Sequence, residues 1–356
     1  MTLLDFYLLR RFVFCFLVSV LALLLISATV DLTENIDLFI DFAAGAGQIL
    51  RYYLYRAPYW IILTLPVSAL LGTLFALTSF NRRNEITAMK AAGANLYRLL
   101  LPVFVCALVI SGLAFLFTDR IVPGATFRYH VVRDEIRSHS RTDGSRRQVL
   151  LQDVDGQLIW ARRYDAEGLR AYEIQWEKVR DYTVEQRLTA AYMQWTENGW
   201  LAVQGASYRF DREGGQVSQF DTLQLASLTL RPEDLARQHK KPDEMSFAEL
   251  QAYIARSRAN GEDATRHLVD LYLKISFPLT SFFMVVLGAP LATQVRRRDL
   301  ASSFGWGIII CMAYYSCVKA GQALGWNKVA PPLLGAWLGN ILFGLLSLLL
   351  LRRSHK

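Results

Sequence analysis

Cysteine is scarce in this chain and absent from its middle. Cys15, Cys106, Cys311 and Cys317 are the four in 356 residues, and all lie in apolar runs. Nothing between Thr118 and Asp270 can form a disulfide, so that stretch must fold without one even in an oxidising compartment. Four buried thiols need no role beyond small apolar packing. Motifs for chemistry are missing as well. No G-x-x-x-x-G-K-[ST] occurs, which excludes ATP binding by a P-loop, and no G-x-S-x-G occurs. His130, His139, His239, His267 and His355 show no metal-ligand spacing. Paired carboxylates such as Asp153 and Asp155 sit in turn-like sequence. The long apolar runs carry no acid at their centres, which removes the relay an ion-coupled carrier needs. These absences lead us to expect no catalytic residue, no metal and no cofactor.

What the chain has is apolar length. It is 53% hydrophobic with a net charge of +8. Runs near the roughly 20 residues that cross a bilayer fall at Phe12–Val30, Pro58–Phe80, Leu99–Phe117, Leu271–Ala292, Ser302–Leu324 and Leu333–Leu351. The first is too long for a signal-peptide core, and no small-x-small site follows it before the acidic stretch Asp31–Asp37. Basic residues sit at one set of ends: Arg10, Arg11, Arg82, Arg83, Lys90, Arg98, Arg296–Arg298, Arg352, Arg353 and Lys356. The other short connections carry Asp31, Glu34, Asp37 and Asp41, then Lys328. The positive-inside rule therefore expects both termini in the cytoplasm and Thr118–Asp270 on the far side. The positive charge reads as topology; nucleic-acid binding would need a basic patch on one soluble face.

The expected architecture is a membrane α-helical protein of six transmembrane helices with an inserted all-β, jelly-roll-like domain. Residues 1–117 form three spans, 118–245 the β domain, and 246–356 a connecting helix and three more spans. The β assignment rests on alternating, aromatic-rich runs beginning at Gln148, Gln157, Leu169, Arg187, Trp200 and Phe220. Asp155-Gly156, Glu167-Gly168, Asn198-Gly199 and Gly214-Gly215 lie between them as turns. Short strands with turns at this spacing read as a sandwich or jelly roll. Ser246-Phe-Ala-Glu249 is a capping box opening a helix that Gly261 ends after Asn260. Gly335-Ala-Trp-Leu-Gly339 has GxxxG spacing, which fits a close helix seam or incidental glycine.

Two features bear on function. The segment Asn81–Arg98 is a short, charged, helix-forming stretch between two spans. Ile86, Met89, Gly93, Leu96 and Leu100 recur at helical spacing, and Ala91-Ala92-Gly93 keeps the surface low enough for another protein's backbone. Gly93 can end the first helix and Asn95 cap the next. The segment is either a partner-docking helix or an ordinary loop held at the headgroups, and spacing does not decide between them. The second feature is a set of cations near the far-side boundary: Arg51, Arg56, Arg266, Lys274, Lys319 and Lys328. Lys274 and Lys319 lie inside apolar runs, so each either contacts a phosphate or carboxylate or snorkels to the interface.

With those residues in view, the chain resembles the LptF/LptG (YjgP/YjgQ) family of lipopolysaccharide-export ABC transporter permeases. The resemblance runs over nearly the whole chain. It is carried by Leu3–Arg11, by Leu65-Pro-Val-Ser-Ala-Leu70 followed by Asn84–Gly93, and by Phe277-Pro278, Ala289-Pro-Leu-Ala292, Tyr314-Tyr315 and Ala330-Pro-Pro332. Val30–Asp37 and Arg51–Pro58 look closer to the LptG branch. The resemblance implies an inner-membrane protein of a Gram-negative bacterium with its β domain in the periplasm. It implies an LptF-like permease partner, a cytosolic LptB-like ATPase dimer, and LptC-like and LptA-like periplasmic proteins. It implies that Glu85, Ile86, Met89, Ala92 and Gly93 couple to the ATPase, and that lipopolysaccharide is the cargo. Some members place lysines where the first span meets the periplasm to hold lipid A phosphates; here Asp31, Glu34 and Asp37 stand there. Any phosphate contact would then fall to the six far-side cations. A periplasmic sensor coupled to a cytosolic partner without transport is the alternative.

Overall fold

The computed structural model describes residues 3–92, 96–138, 145–152, 157–165, 168–180, 183–196, 199–211, 214–225, 228, 230–232, 240–259, 263–294 and 300–354. Gly93, Asn95, the Asp155-Gly156 turn, Asn260, Gly261 and Arg296–Arg298 lie outside the described residues. Two compact units emerge, one of Met1–His139 with Lys240–Lys356 and one of Ser140–His239.

The first unit is helical. Its elements are α1 (Leu3–Glu34), α2 (Ile36–Asp41), α3 (Ala46–Arg82), α4 (Glu85–Ala91), α5 (Leu96–Arg120) and α6 (Val122–Ser138). After the other unit come α7 (Phe247–Ala259), α8 (Thr265–Gln294), α9 (Leu300–Trp326) and α10 (Pro332–Ser354). Six helices among the described residues, α1, α3, α5, α8, α9 and α10, are long and apolar enough to cross a membrane. Each contains one of the expected spans. The central pair is α3 and α8, whose apolar windows are 72% and 67% buried, against 17% for α1. Leu70, Leu74, Leu77, Met284, Val285 and Leu287 form the heart of that core.

Small residues let the helices close up. A Cβ at Gly288 of α8 would stand 3.3 Å from Thr73 of α3. A Cβ at Gly72 would meet the Phe16 backbone of α1 at 2.9 Å. The Gly335–Gly339 spacing of α10 is a true seam: a Cβ at Gly335 would lie 2.7 Å from the Gly321 carbonyl and 3.1 Å from Gly325 Cα on α9. Sequence reading saw one half of this seam; the matching Gly321-x-x-x-Gly325 completes it. Below it, Tyr314 and Thr280 both reach Asn340 Oδ1, at 2.8 and 3.3 Å, while Asn340 Nδ2 donates to the Ser276 carbonyl at 2.6 Å. This buried network joins α8, α9 and α10.

The domain boundary differs from expectation. Residues 122–138 form the helix α6, which packs on α3, so the β unit begins at Ser140 and not at Thr118. Likewise residues 240–245 belong to the helical unit. The signal was present: Val122, Tyr129, Val132 and Ile136 are buried along one face of α6, at spacings of seven, three and four.

The second unit is one antiparallel sheet of six strands paired in sequence order: β1 (Ser145–Gln152), β2 (Gln157–Asp165), β3 (Arg170–Arg180), β4 (Thr183–Thr196), β5 (Gly199–Asp211) and β6 (Gly214–Gln224). The all-β insertion was expected; its described strands follow a meander. One row interrupts every pairing, running through Gln148, Arg162, Glu173, Ala191, Gln204 and Asp221. At that row the buried positions step by three instead of two: Ala161 to Tyr164, Ala171 to Ile174, Ala190 to Met193. Glu173 and Gln204 adopt positive φ there, 50° and 54°. Each strand leaves one residue of this row unpaired, so register is kept across the crease while the same face stays inward; the register shift of the sheet lies elsewhere, between Lys178 and Val179. Leu225 and Leu228 join the core on that inner face. Beyond them, Trp200 Nε1 donates to the Leu230 carbonyl at 2.7 Å and the Tyr164 hydroxyl to the Pro232 carbonyl at 3.1 Å.

Replacing Gly335 by Leu drives a side chain into the α9 backbone. Overpacking of this kind costs about 1–3 kcal/mol, so the melting temperature of the detergent-solubilised protein should fall. An unchanged melting temperature would show the seam to be dispensable.

Candidate functional site

The first candidate surface is α4. Ile86 is 2% exposed and belongs to the membrane core, and Met89 packs against that core. Leu100 is fully buried. The apolar stripe that drew attention to this segment therefore faces inward, tying α4 to the bundle. Among the side chains described, Thr87, Ala88 and Ala91 of α4 and the adjoining Ala92 are exposed, and all are small. Glu85 is at its first turn, 26% exposed, with Arg83 Nη1 at 3.9 Å. Of the five expected coupling residues, Glu85 and Ala92 reach the surface, Ile86 and Met89 point into the core, and Gly93 lies outside the described residues. Nearby contacts fix the platform: Tyr97 donates to the Leu351 carbonyl at 2.9 Å, linking α5 to α10.

The six cations at the other end do not form one site. Arg51 and Arg56 lie on α3, while Arg266, Lys274 and Lys319 lie on α8 and α9 and Lys328 just after α9. Arg56 stacks its guanidinium on Tyr59 and Tyr129, 4.6 and 4.5 Å from the ring centroids. Lys274 donates to the Met245 carbonyl at 2.8 Å. Lys319 donates to Gln322 Oε1 at 3.1 Å. Lys328 pairs with Asp263 at 2.8 Å. Lys328 also closes α9: its φ is 61°, its N–H bonds the Gly325 carbonyl and Val329 N–H bonds the Leu324 carbonyl, the Schellman pattern. Asp263 caps α8 through Thr265, and Lys328 with Thr265 holds its carboxyl well below the usual range. Four of the six cations thus have partners inside the chain, because a charge at the end of an apolar helix takes the nearest acceptor. Arg51 and Arg266 are exposed.

Residues that sequence reading passed over organise this end. Phe39, Tyr52, Tyr53 and Tyr129 form an aromatic cluster between α2, α3 and α6, with the Tyr52 and Tyr129 hydroxyls 3.2 Å apart. Arg56 and Arg133 lie near the Asp31 carboxylate beside it. Asp119, at the end of α5, accepts the Phe247 N–H at 2.7 Å. His130 of α6 faces the buried Glu244 at 3.6 Å and Asp243 at 3.9 Å. The capping box held as read: Ser246 N–H donates to Glu249 at 2.8 Å, and Glu249 N–H to Ser246 Oγ at 3.3 Å. Lys240 and that cap hold the Glu249 carboxyl below its ordinary range. Tyr52, Tyr129 and Asp119 carry no motif; only the tertiary fold brings them together across 77 and 128 residues.

Among the described residues no group of His, Cys, Asp and Glu is placed to hold a metal. Six membrane-length helices, with an all-β unit inserted between the third and the fourth, define the class: a polytopic membrane protein with an extramembrane β domain. Residues 6–353 match the family described as lipopolysaccharide export system permease LptF/LptG, and the chain belongs to that family. It is 25% identical over 332 residues to the lipopolysaccharide export system permease protein LptG of Escherichia coli K12, covering 88% of this chain and 86% of the relative. The LptG of Escherichia coli O6:H1 matches with the same identity and coverage.

Burial, helped by Lys241, lowers the His130 pKa from its ordinary value against the opposing pull of Glu244, Asp243 and Asp134. The unfolded chain then takes up the proton first as pH falls. His130 therefore contributes stability that is full above about pH 6.5 and is lost as pH drops through the folded pKa. Between about pH 7.5 and about pH 5.5 the melting temperature should fall less in His130→Gln than in the unsubstituted protein. Equal falls in the two would place the pH response elsewhere.

Proposed function

We propose that this chain is a permease subunit of an ABC transporter that takes lipopolysaccharide from the outer leaflet of the inner membrane and passes it to a periplasmic bridge. The observation that carries the reading is the family match over residues 6–353, which spans both sets of membrane helices and the inserted sheet. Energy would come from ATP hydrolysis in a partner subunit. A cytosolic LptB-like dimer, an LptF-like second permease, and LptC-like and LptA-like periplasmic proteins complete the assembly. The basic ends at Arg10, Arg11, Arg82, Arg83, Arg352 and Arg353 orient both termini and α4 toward the cytoplasm and the β unit toward the periplasm.

In this reading α4 is the coupling helix. Ile86 and Met89 bind it to the bundle, and the small outward face of Thr87, Ala88, Ala91 and Ala92 lets the ATPase approach its backbone. Glu85 supplies a charge for a cationic residue in the ATPase groove. A push on α4 passes directly into α3, because Ile86 shares the core of the α3–α8 pair. At the other end, Arg51 and Arg266 are exposed cations suited to lipid A phosphates, and charge-assisted bonds to phosphate are roughly twice as strong as neutral ones.

The test is release of lipopolysaccharide from proteoliposomes holding this chain, its partner permease and the ATPase, to a periplasmic acceptor, on addition of ATP. An assembled complex that hydrolyses ATP and releases none would overturn the reading in favour of a sensor. Glu85→Lys should abolish co-purification with the ATPase or separate hydrolysis from release. A normal complex with normal lipid-stimulated hydrolysis would remove Glu85 from the coupling role.

A further inference from the structure

Where the chain returns from the β unit it makes a 3₁₀ turn, Pro242–Glu244, and then starts α7. A helix start leaves N–H groups without intrahelical partners, and a cap normally supplies them. Here the capping box satisfies two of them, since Ser246 and Glu249 bond each other's backbone N–H groups, and it leaves the Phe247 N–H open. Two further side chains reach into the same short stretch. Asp119 Oδ1 of α5 accepts the Phe247 N–H at 2.7 Å, from 128 residues away in sequence. Lys274 Nζ of α8 donates to the Met245 carbonyl at 2.8 Å. Both bonds are charge-assisted, and both end on backbone. The helices that supply them are tied to each other, with Ser111 Oγ of α5 accepting the Phe282 N–H of α8 at 3.1 Å.

We propose that Asp119 and Lys274 are positioning residues: a two-point clamp by which the relative placement of α5 and α8 sets the position of the returning segment Met245–Phe247, at the root of the β unit. The inference rests on the transport reading and refines it. Lys274 acts on the protein's own backbone and does not touch lipid. The partner for the open Phe247 N–H comes from another helix and not from a neighbour in sequence, so this bond and the Lys274 bond fix where the segment lies. A rearrangement of the spans driven from α4 would reach α8 through α3 and then move this root. Backbone, not side chain, is what the clamp holds, so the identity of residues 245 and 247 matters little and that of 119 and 274 matters greatly.

The test uses the complete transporter in nanodiscs with Asp119→Leu, Asp119→Asn, Lys274→Met and Lys274→Arg. Amide exchange across 245–250 should rise about tenfold in Asp119→Leu and stay near wild type in Asp119→Asn, which keeps an acceptor oxygen. Lipopolysaccharide released per ATP hydrolysed should fall about tenfold in Asp119→Leu and Lys274→Met, and recover in the Asn and Arg variants, with ATP hydrolysis and melting temperature retained. Wild-type release in both apolar variants would overturn the clamp. So would a loss of release matched by equal losses of hydrolysis and melting temperature, since that marks a merely structural role. If Asp119→Leu does not accumulate, Asp119→Ser and Lys274→Gln shorten the same two arms and are judged by the same readouts. Failure of the unsubstituted complex to release any lipopolysaccharide would sink the transport reading, and the exchange data would still report whether the two bonds hold the segment.

Discussion

Hydrocarbon offers the backbone no hydrogen-bond partner, so every carbonyl and N–H within a span must be satisfied by protein. Five prolines lie inside the membrane-length helices: Pro58, Pro66, Pro102, Pro278 and Pro290. Each removes a donor from its ladder. Hydroxyl and amide side chains of the spans also bond backbone. Tyr315 donates to the Leu63 carbonyl, close to Pro66. Ser111 receives the Phe282 N–H, four residues past Pro278. Ser276 donates to the Ala336 carbonyl at 2.8 Å, and Asn340 donates to the Ser276 carbonyl. Polar residues within the bundle thus act mainly on backbone, and Ser276, Thr280, Tyr314 and Asn340 join in a buried network. Single bonds of this kind contribute about 0.6 kcal/mol on average; together they fix which helices are neighbours.

The same constraint explains the central position of α3 and α8. These two carry the small and hydroxyl residues that allow close approach, including Gly72, Thr73, Ser276, Thr280 and Gly288, all buried. The outer helices are different. α1 turns Phe14, Leu17, Leu21 and Leu25 outward, and α9 turns Phe304, Trp306, Ile309 and Met312 outward. A helix with one sparse inner stripe and a broad apolar outer face suits lipid or another apolar helix, and it needs few internal contacts to hold it. The α3–α8 axis is the most enclosed part of the helical unit. α4 is attached to that axis through Ile86.

Much of this was legible in the sequence, for identifiable reasons. The spans were, because apolar length is a local property. The strands were, because alternation and Gly-containing turns are local too. The α7 capping box was read residue by residue. What failed to show was set by tertiary contact. α6 was hidden because its buried face is a sparse stripe including Thr126 and Tyr129 on an otherwise polar segment. The sheet crease was invisible because a one-residue parity step in a single strand looks like imperfect alternation; only six strands in register reveal a row. The stripe at Ile86, Met89 and Leu100 was seen correctly, but periodicity does not say whether a stripe faces a partner or the chain's own core. Half of the Gly335 seam was seen for the same reason: one helix shows its own glycines and not those it meets.

The cations at the insertion end show why charge placement was the hardest feature to read. A lysine in an apolar run needs an acceptor or a route to the interface, and the sequence left open a phosphate or carboxylate contact or snorkelling. The folded chain supplies acceptors from within and at closer range. The Met245 carbonyl, Gln322 and Asp263 are each held within hydrogen-bond reach of Lys274, Lys319 and Lys328. An acceptor fixed beside a cation has no association cost, whereas a phosphate must be drawn from solvent or lipid and lose its freedom. Pairing within the chain does not require burial, since Lys319 and Lys328 are both exposed and both have partners. On that basis the acidic stretch from Asp31 to Asp41 also has a structural meaning: the Asp31 carboxylate lies near Arg56 and Arg133, charges that would otherwise sit unpaired against the aromatic cluster joining α2, α3 and α6.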